Sequence, residues 1–220
     1  LAAAVDPAVT LIGFAGAPWT VASYMVEGGS SRDFQHSKAW LFADPEGFGR
    51  LIDRLVVATA EYLSAQITAG AEAVQIFDSW AGALPSGAFD RWVITPTRAL
   101  VDALRHRHPS TPIICFPREA GANYVRFADA VRPDALSVDP TVDLPALASR
   151  LPAGMAVQGN VDPLLLLAGG PALDAEAARL RQGLAGRPFI FNLGHGVVPA
   201  TPIAHVERLI AAVRSTSIAG

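Results

Sequence analysis

The feature that most constrains this chain is an alternation. Short, nearly continuous apolar runs occur at Val9–Phe14, Ala73–Phe77, Pro112–Phe116, Ala135–Val138, Met155–Gln158 and Pro188–Phe191, with longer stretches of helical periodicity between them. Runs of that length without polar alternation suit parallel strands buried on both faces. Phe48, Leu51, Ile52, Leu55, Val56, Thr59, Leu63 and Ile67 lie on one face of a long amphipathic helix. Thr95-Pro96 reads as an N-cap with proline in the first turn, ahead of Leu100, Val101 and Leu104. Ile203, Val206, Leu209, Ile210 and Val213 form a last apolar stripe after Pro202. Strand then helix, repeated about six times, predicts an α/β fold with a parallel sheet.

Pattern alone permits an open doubly wound sheet or a (β/α)8 TIM barrel. No Gly-rich dinucleotide fingerprint follows the first run, and short polar strings follow nearly every run. Such a spread suits a barrel, where loops from many strand ends share one site. The expectation is one domain over residues 1–220: a barrel with about six β/α units present and two more ahead of Leu1. The composition, 51% hydrophobic and 17% charged, excludes a disordered chain, and the net charge of −3 supplies no basic field for nucleic acid. A single cysteine, Cys115, forms no internal disulfide and suits a reducing cytoplasm. Leu1–Val5 has no basic flank of the kind a signal peptide carries, and Leu164–Leu167 is too short to span a membrane.

The strand ends hold the chemistry. His195 sits between Gly194 and Gly196, where a tight backbone turn can bring a ligand close; it can donate to a carboxylate, move a proton, or simply pin its loop. Asp78 and Ser79 end the second run, so one side chain can face the strand-end mouth while its neighbour faces the helices; both can equally cap the next turn. Arg118 ends the third run, and its guanidinium fork matches a carboxylate. Asn160 or Asp162, before Pro163, reads chiefly as a helix start, and Gly28 as a helix stop. Trp19 and Trp80 read as packing residues, and His36, His106, His108 and His205 as solvated surface.

Taken together these strings resemble the uroporphyrinogen decarboxylase family. Gly13 to Thr20 (Gly-Phe-Ala-Gly-Ala-Pro-Trp-Thr), continuing through Tyr24 to Gly29, is similar to that family's most distinctive internal segment. Phe77 to Gly82, Gln158 to Pro163 and Asn192 to Gly196 match further segments in the same order. The resemblance implies a distorted (β/α)8 barrel, a cytoplasmic homodimer, and conversion of the four acetate arms of uroporphyrinogen III to methyls, giving coproporphyrinogen III. It implies no metal, flavin or pyridoxal, and no membrane or nucleic-acid partner. Carried over residue by residue, Tyr24, Ser79 and His195 become catalytic-site residues and Phe77 a substrate contact; Arg118, from its place at a strand end, joins them in binding substrate. An arginine-rich string of the form R-Q-A-G-R, and the family's Asp that faces the pyrrole nitrogens, do not occur in these residues and are expected upstream. Two alternatives stand beside this one. A non-catalytic fragment is the first. The second is a methylcobamide:thiol methyltransferase of the same superfamily, for which Ile114-Cys115-Phe116-Pro117 lacks the zinc-binding His and the chain lacks a second Cys.

Overall fold

The structure, a computed structural model, describes Asp6 and residues 8–29 and 31–214. Leu1–Val5 therefore lies outside the described residues. The chain forms two compact units, residues 1–135 and 136–220. The first holds β1 (Ile12–Gly16), α1 (Pro18–Glu27), α2 (Gln35–Ala43), α3 (Pro45–Thr68), β2 (Ala73–Asp78), α4 (Ser86–Phe89), α5 (Thr95–Arg107), β3 (Ile113–Pro117) and α6 (Asn123–Val131). The chain passes from the first unit to the second within β4 (Ala135–Ser137). The second then adds α7 (Leu144–Ala148), β5 (Ala156–Val161), α8 (Pro163–Ala168), α9 (Gly170–Gly183), β6 (Phe189–Leu193) and α10 (Ile203–Arg214).

Hydrogen-bonded strand neighbours follow chain order from β1 to β6. That order separates the two architectures the pattern left open, because a doubly wound sheet reverses direction and puts its first strand inside. Pairing is parallel, with Ile12 opposite Ala73 and Gly16 opposite Phe77, then Phe77 opposite Phe116. In the second unit Val157 stands opposite Phe189 and Val161 opposite Leu193, also in parallel.

β1 begins three residues later than the apolar run suggests. Pairing with β2 sets its frame, and Val9, at the head of the run, is exposed. Among the described residues β1 has a strand partner on one side only. Its backbone at Phe14 is satisfied instead by Gln66 of α3: the Phe14 N–H donates to Oε1 at 2.8 Å, and Nε2 donates to the Phe14 carbonyl at 3.0 Å. A side-chain amide thus stands where a neighbouring strand would hydrogen-bond, which blunts the edge.

Thr95 does not cap α5, contrary to the expectation from Thr95-Pro96. The backbone is already helical through α4, and a π turn over Asp90–Ile94 leads directly into α5. The Thr95 N–H reaches back to the Asp90 carbonyl, and its hydroxyl donates to the same oxygen at 2.9 Å. The wider turn accommodates Pro96, whose ring would crowd the carbonyl four residues back and which has no N–H to offer it. Gly28 does stop α1, with φ of 73° and its N–H on the Tyr24 carbonyl.

The first unit's helices meet at Phe48, which is fully buried. Its ring lies 6.1 Å from Trp19, 5.4 Å from Trp40 and 5.0 Å from Trp92, joining α1, α2, α3 and the π turn in one cluster. Truncating it removes a shared partner of three indoles and leaves a cavity. Phe48→Ala is expected to lower unfolding free energy by about 3–5 kcal/mol in urea titrations, whereas Val57→Ala, on the exposed face of α3, should change it by less than about 0.5 kcal/mol.

Candidate active site

The candidate residues of the first unit are placed by one knot of hydrogen bonds where β1 and β2 end. Proline in the first turn starts α1 directly after β1, and the Ala17 N–H donates to the Phe77 carbonyl at 2.8 Å. One residue into the helix layer, the Trp19 indole donates to the Trp80 carbonyl at 2.9 Å. The Thr20 hydroxyl donates to Asp78 Oδ1 at 2.5 Å and accepts the Trp80 N–H at 3.2 Å. Residues 77 to 80 are thereby held on both sides of Ser79.

Asp78 is buried and Ser79 half-buried, so the two neighbours diverge as a strand end allows. The second carboxyl oxygen of Asp78, Oδ2, has no hydrogen-bond partner. Burial pushes this carboxyl from 3.8 up to about 7, against the lowering effect of the Thr20 hydrogen bonds. An acid beside Ser79 thus keeps its proton well above the ordinary carboxylate range.

Tyr24 lies one helical turn beyond Thr20. It is 44% exposed, and its ring stands edge-on to Trp80 at 6.2 Å. Phe77 stands between Phe14 and Phe116, at 6.0 and 6.1 Å, in an edge-to-face row across β1, β2 and β3. Arg118 follows β3; its N–H donates to the Asp78 carbonyl at 3.1 Å and its Nη1 to the Ser79 carbonyl at 3.5 Å. Its guanidinium lies 6.0 Å from the Trp80 ring. Tyr24, Phe77, Ser79 and Arg118 are therefore gathered around Trp80 and the ends of β2 and β3.

His195 belongs to the second unit. It is exposed on the loop after β6, beside Gly194, whose N–H donates to the Val161 carbonyl at 2.8 Å. A Cβ on Gly194 would stand 2.6 Å from Pro140, so only glycine lets this loop lie against the end of β4. Asn160 does not start a helix. It is buried in β5, and its Nδ2 donates to the carbonyls of Asp139 at 2.8 Å and Val142 at 2.7 Å. Asp162 caps α8 in its place, accepting the Leu164 N–H at 2.8 Å.

Two histidines are less solvated than the sequence suggests. His108 shares a 2.8 Å hydrogen bond with the Ser64 hydroxyl, and His205 Nδ1 lies 3.1 Å from the last carbonyls of α8. Burial pushes the Cys115 thiol well up, which makes it a packing residue. Among the described residues no three His, Cys, Asp or Glu side chains cluster as a metal site requires. No described helix is long and apolar enough to cross a membrane. Thr20 and Trp80 join the candidate site from structure alone; their pairing spans 60 residues of sequence.

The upward shift of the Asp78 carboxyl has a measurable consequence. The unfolded chain releases this proton near 3.8 and the folded chain near 7. Between those values the native state binds the extra proton, so stability is complete at the acid end and falls as pH rises through about 7. The loss has an upper limit on the order of 4 kcal/mol. Asp78→Asn keeps an acceptor for Thr20 and cannot ionise. Urea unfolding at about pH 4.5 and about pH 7.5 should show a smaller decline for this variant than for the wild type.

The family described as Uroporphyrinogen decarboxylase (URO-D) matches residues 1–216. The chain is 50% identical over 214 residues to the uroporphyrinogen decarboxylase of Sphingopyxis alaskensis, covering 97% of this chain and 63% of the relative. It is 50% identical to that of Rhodospirillum rubrum, covering 98% and 62% respectively. With the enzyme of Rhizorhabdus wittichii it shares 51% identity, over 96% of this chain and 62% of the relative. The chain thus spans less than two thirds of the length of these relatives. By the extent of that match, and by the strand-end strings that form its candidate site, the chain belongs to the uroporphyrinogen decarboxylase family.

Proposed function

We propose that the protein removes the four acetate carboxyls of uroporphyrinogen III as carbon dioxide, leaving methyl groups and yielding coproporphyrinogen III. The observation that carries this is the cluster of Tyr24, Ser79 and Arg118 around Trp80, within segments the chain shares with proteins named uroporphyrinogen decarboxylase.

Loss of carbon dioxide from an acetate arm leaves an electron pair that needs a sink. A pyrrole protonated on a ring carbon provides it, a second proton completes the methyl, and loss of the first proton from the ring carbon restores the pyrrole. The protein has to hold carboxylates and stabilise a transient cation, work that preorganised charges and dipoles do best. In this proposal Arg118 receives a carboxylate in its guanidinium fork, and Ser79 hydrogen-bonds one. Phe77 offers the macrocycle an aromatic surface, and Tyr24 and His195 orient the reacting arm. With a net charge of −3, the chain offers no general attraction to a polyacid, so individually placed cations have to supply recognition.

The same reading makes residues 1–220 part of one barrel domain. It has the protein act as a cytoplasmic homodimer, without cofactor, membrane or nucleic-acid partner. The buried lone Cys115 suits a reducing compartment, and the acidic balance disfavours nucleic acid. The methyltransferase alternative gains no support, since Cys115 is sealed within β3.

The intact purified protein, given uroporphyrinogen III under anaerobic conditions, is expected to yield coproporphyrinogen III, read by chromatography of the oxidised porphyrins. No conversion of either uroporphyrinogen isomer would refute the proposal. Tyr24→Phe and His195→Asn should each lower kcat by about 10-fold to 100-fold, a loss of orienting hydrogen bonds, and let partly decarboxylated porphyrins accumulate. Wild-type rates and product distributions in both variants would remove these side chains from the site.

A further inference from the structure

The loop after β3 holds an ion pair that the proposed reaction does not use. The carboxylate of Glu119 pairs with the guanidinium of its neighbour Arg118. The backbone is bent to allow this, with Glu119 at φ of 60°, a left-handed conformation uncommon outside glycine. Gly82 supports the bend from the adjoining loop: its N–H donates to the Arg118 carbonyl at 3.0 Å, and a Cβ there would come within 2.5 Å of Glu119. The two partners are unequally seated. The Arg118 side chain is 22% exposed, lying beside Trp80 and the Ser79 carbonyl, while that of Glu119 is 48% exposed.

We propose that Glu119 is an internal competitor for Arg118, filling the guanidinium fork until a ligand carboxylate displaces it. The inference rests on Arg118 receiving a ligand carboxylate, as proposed above. Displacement exchanges one carboxylate for another, so the guanidinium stays neutralised throughout. Half-exposed pairs of this kind are weak, so breaking this one costs little. A ligand with a single carboxylate gains little from the exchange. A ligand carrying many carboxylates on a rigid ring, already held by other contacts, presents the incoming group at high effective concentration and completes the exchange. Glu119 thereby selects polycarboxylates over small acids and keeps adventitious anions off Arg118.

The test is the affinity of the intact protein for uroporphyrin III, the oxidised and unreactive octacarboxylate, read by quenching of tryptophan fluorescence. Wild type is compared with Glu119→Gln, Arg118→Gln and the double variant. Glu119→Gln should bind about three- to fivefold tighter, the size expected from removing a half-exposed competing pair. Glu119→Asn, whose side chain tolerates the left-handed backbone, should show the same gain. Arg118→Gln should bind more weakly, and the double variant should match it, because the gain acts through Arg118. Unchanged or weaker binding by both Glu119 variants overturns the competitor role. So does a gain that persists in the Arg118→Gln background, which would be a general charge effect. If Arg118→Gln binds as wild type does, or if no form binds, the reading of Arg118 as a carboxylate anchor falls, and the competitor with it.

Discussion

The Thr20 hydroxyl is the point on which the first unit's candidate site depends. It is buried where β1 passes into α1, and parallel pairing of β1 with β2 brings it to two groups at the end of β2, the Asp78 carboxyl and the Trp80 N–H. A hydroxyl is the smallest group that both donates and accepts, and here it does both. The consequence is geometric. Ser79 is held between two fixed neighbours, and Tyr24 rides on the helix that Thr20 anchors. Asp78, denied water, hydrogen-bonded by Thr20 and with Oδ2 unpartnered, has its carboxyl pushed up to about 7. A carboxyl that titrates near neutrality tightens the strand end and places less negative charge beside a site proposed to hold carboxylates than an ordinary aspartate would.

The same end of the sheet shows how a mildly acidic protein can offer cationic recognition. Arg118 is placed by backbone hydrogen bonds to β2, by the Trp80 ring and by its pairing with Glu119. Its charge is local rather than part of a field. Local charges discriminate by geometry, and they do so best when the competing anion is tethered and weakly held.

Much of this was legible in the sequence, for physical reasons that differ from residue to residue. The buried strands announced themselves because parallel strands covered on both faces have no use for polar alternation; β2 and β3 lie within a residue or two of their apolar runs. Gly28 and Asp162 were legible because a helix end imposes its own local chemistry. β1 was displaced because apolar character marks a strand but pairing sets its limits. Thr95 was misread because a local capping signal yielded to a helix already under way. Of the two residues offered for the start of α8, Asn160 is excluded only by structure, because its side chain serves carbonyls of the preceding strand's loop, 18 to 21 residues away. Thr20 and Glu119 carried no local signal: one acts through a partner 58 residues distant, and the other through a backbone bend supported by Gly82. Tyr24, Phe77 and Ser79 were found as members of strings and Arg118 by its place at a strand end, and the structure supplies what these readings omit, namely that Tyr24 and Arg118 both meet the Trp80 indole beside the end of β2.

The most direct test of this account is a crystal structure of the intact protein with coproporphyrinogen III bound. The account predicts a propionate or other ring substituent against the Tyr24–Trp80 face, a carboxylate in the Arg118 fork with Glu119 swung away, and Ser79 within hydrogen-bonding reach of the ligand. A tetrapyrrole bound elsewhere, with Arg118 still paired to Glu119 and Tyr24 open to solvent, would contradict it.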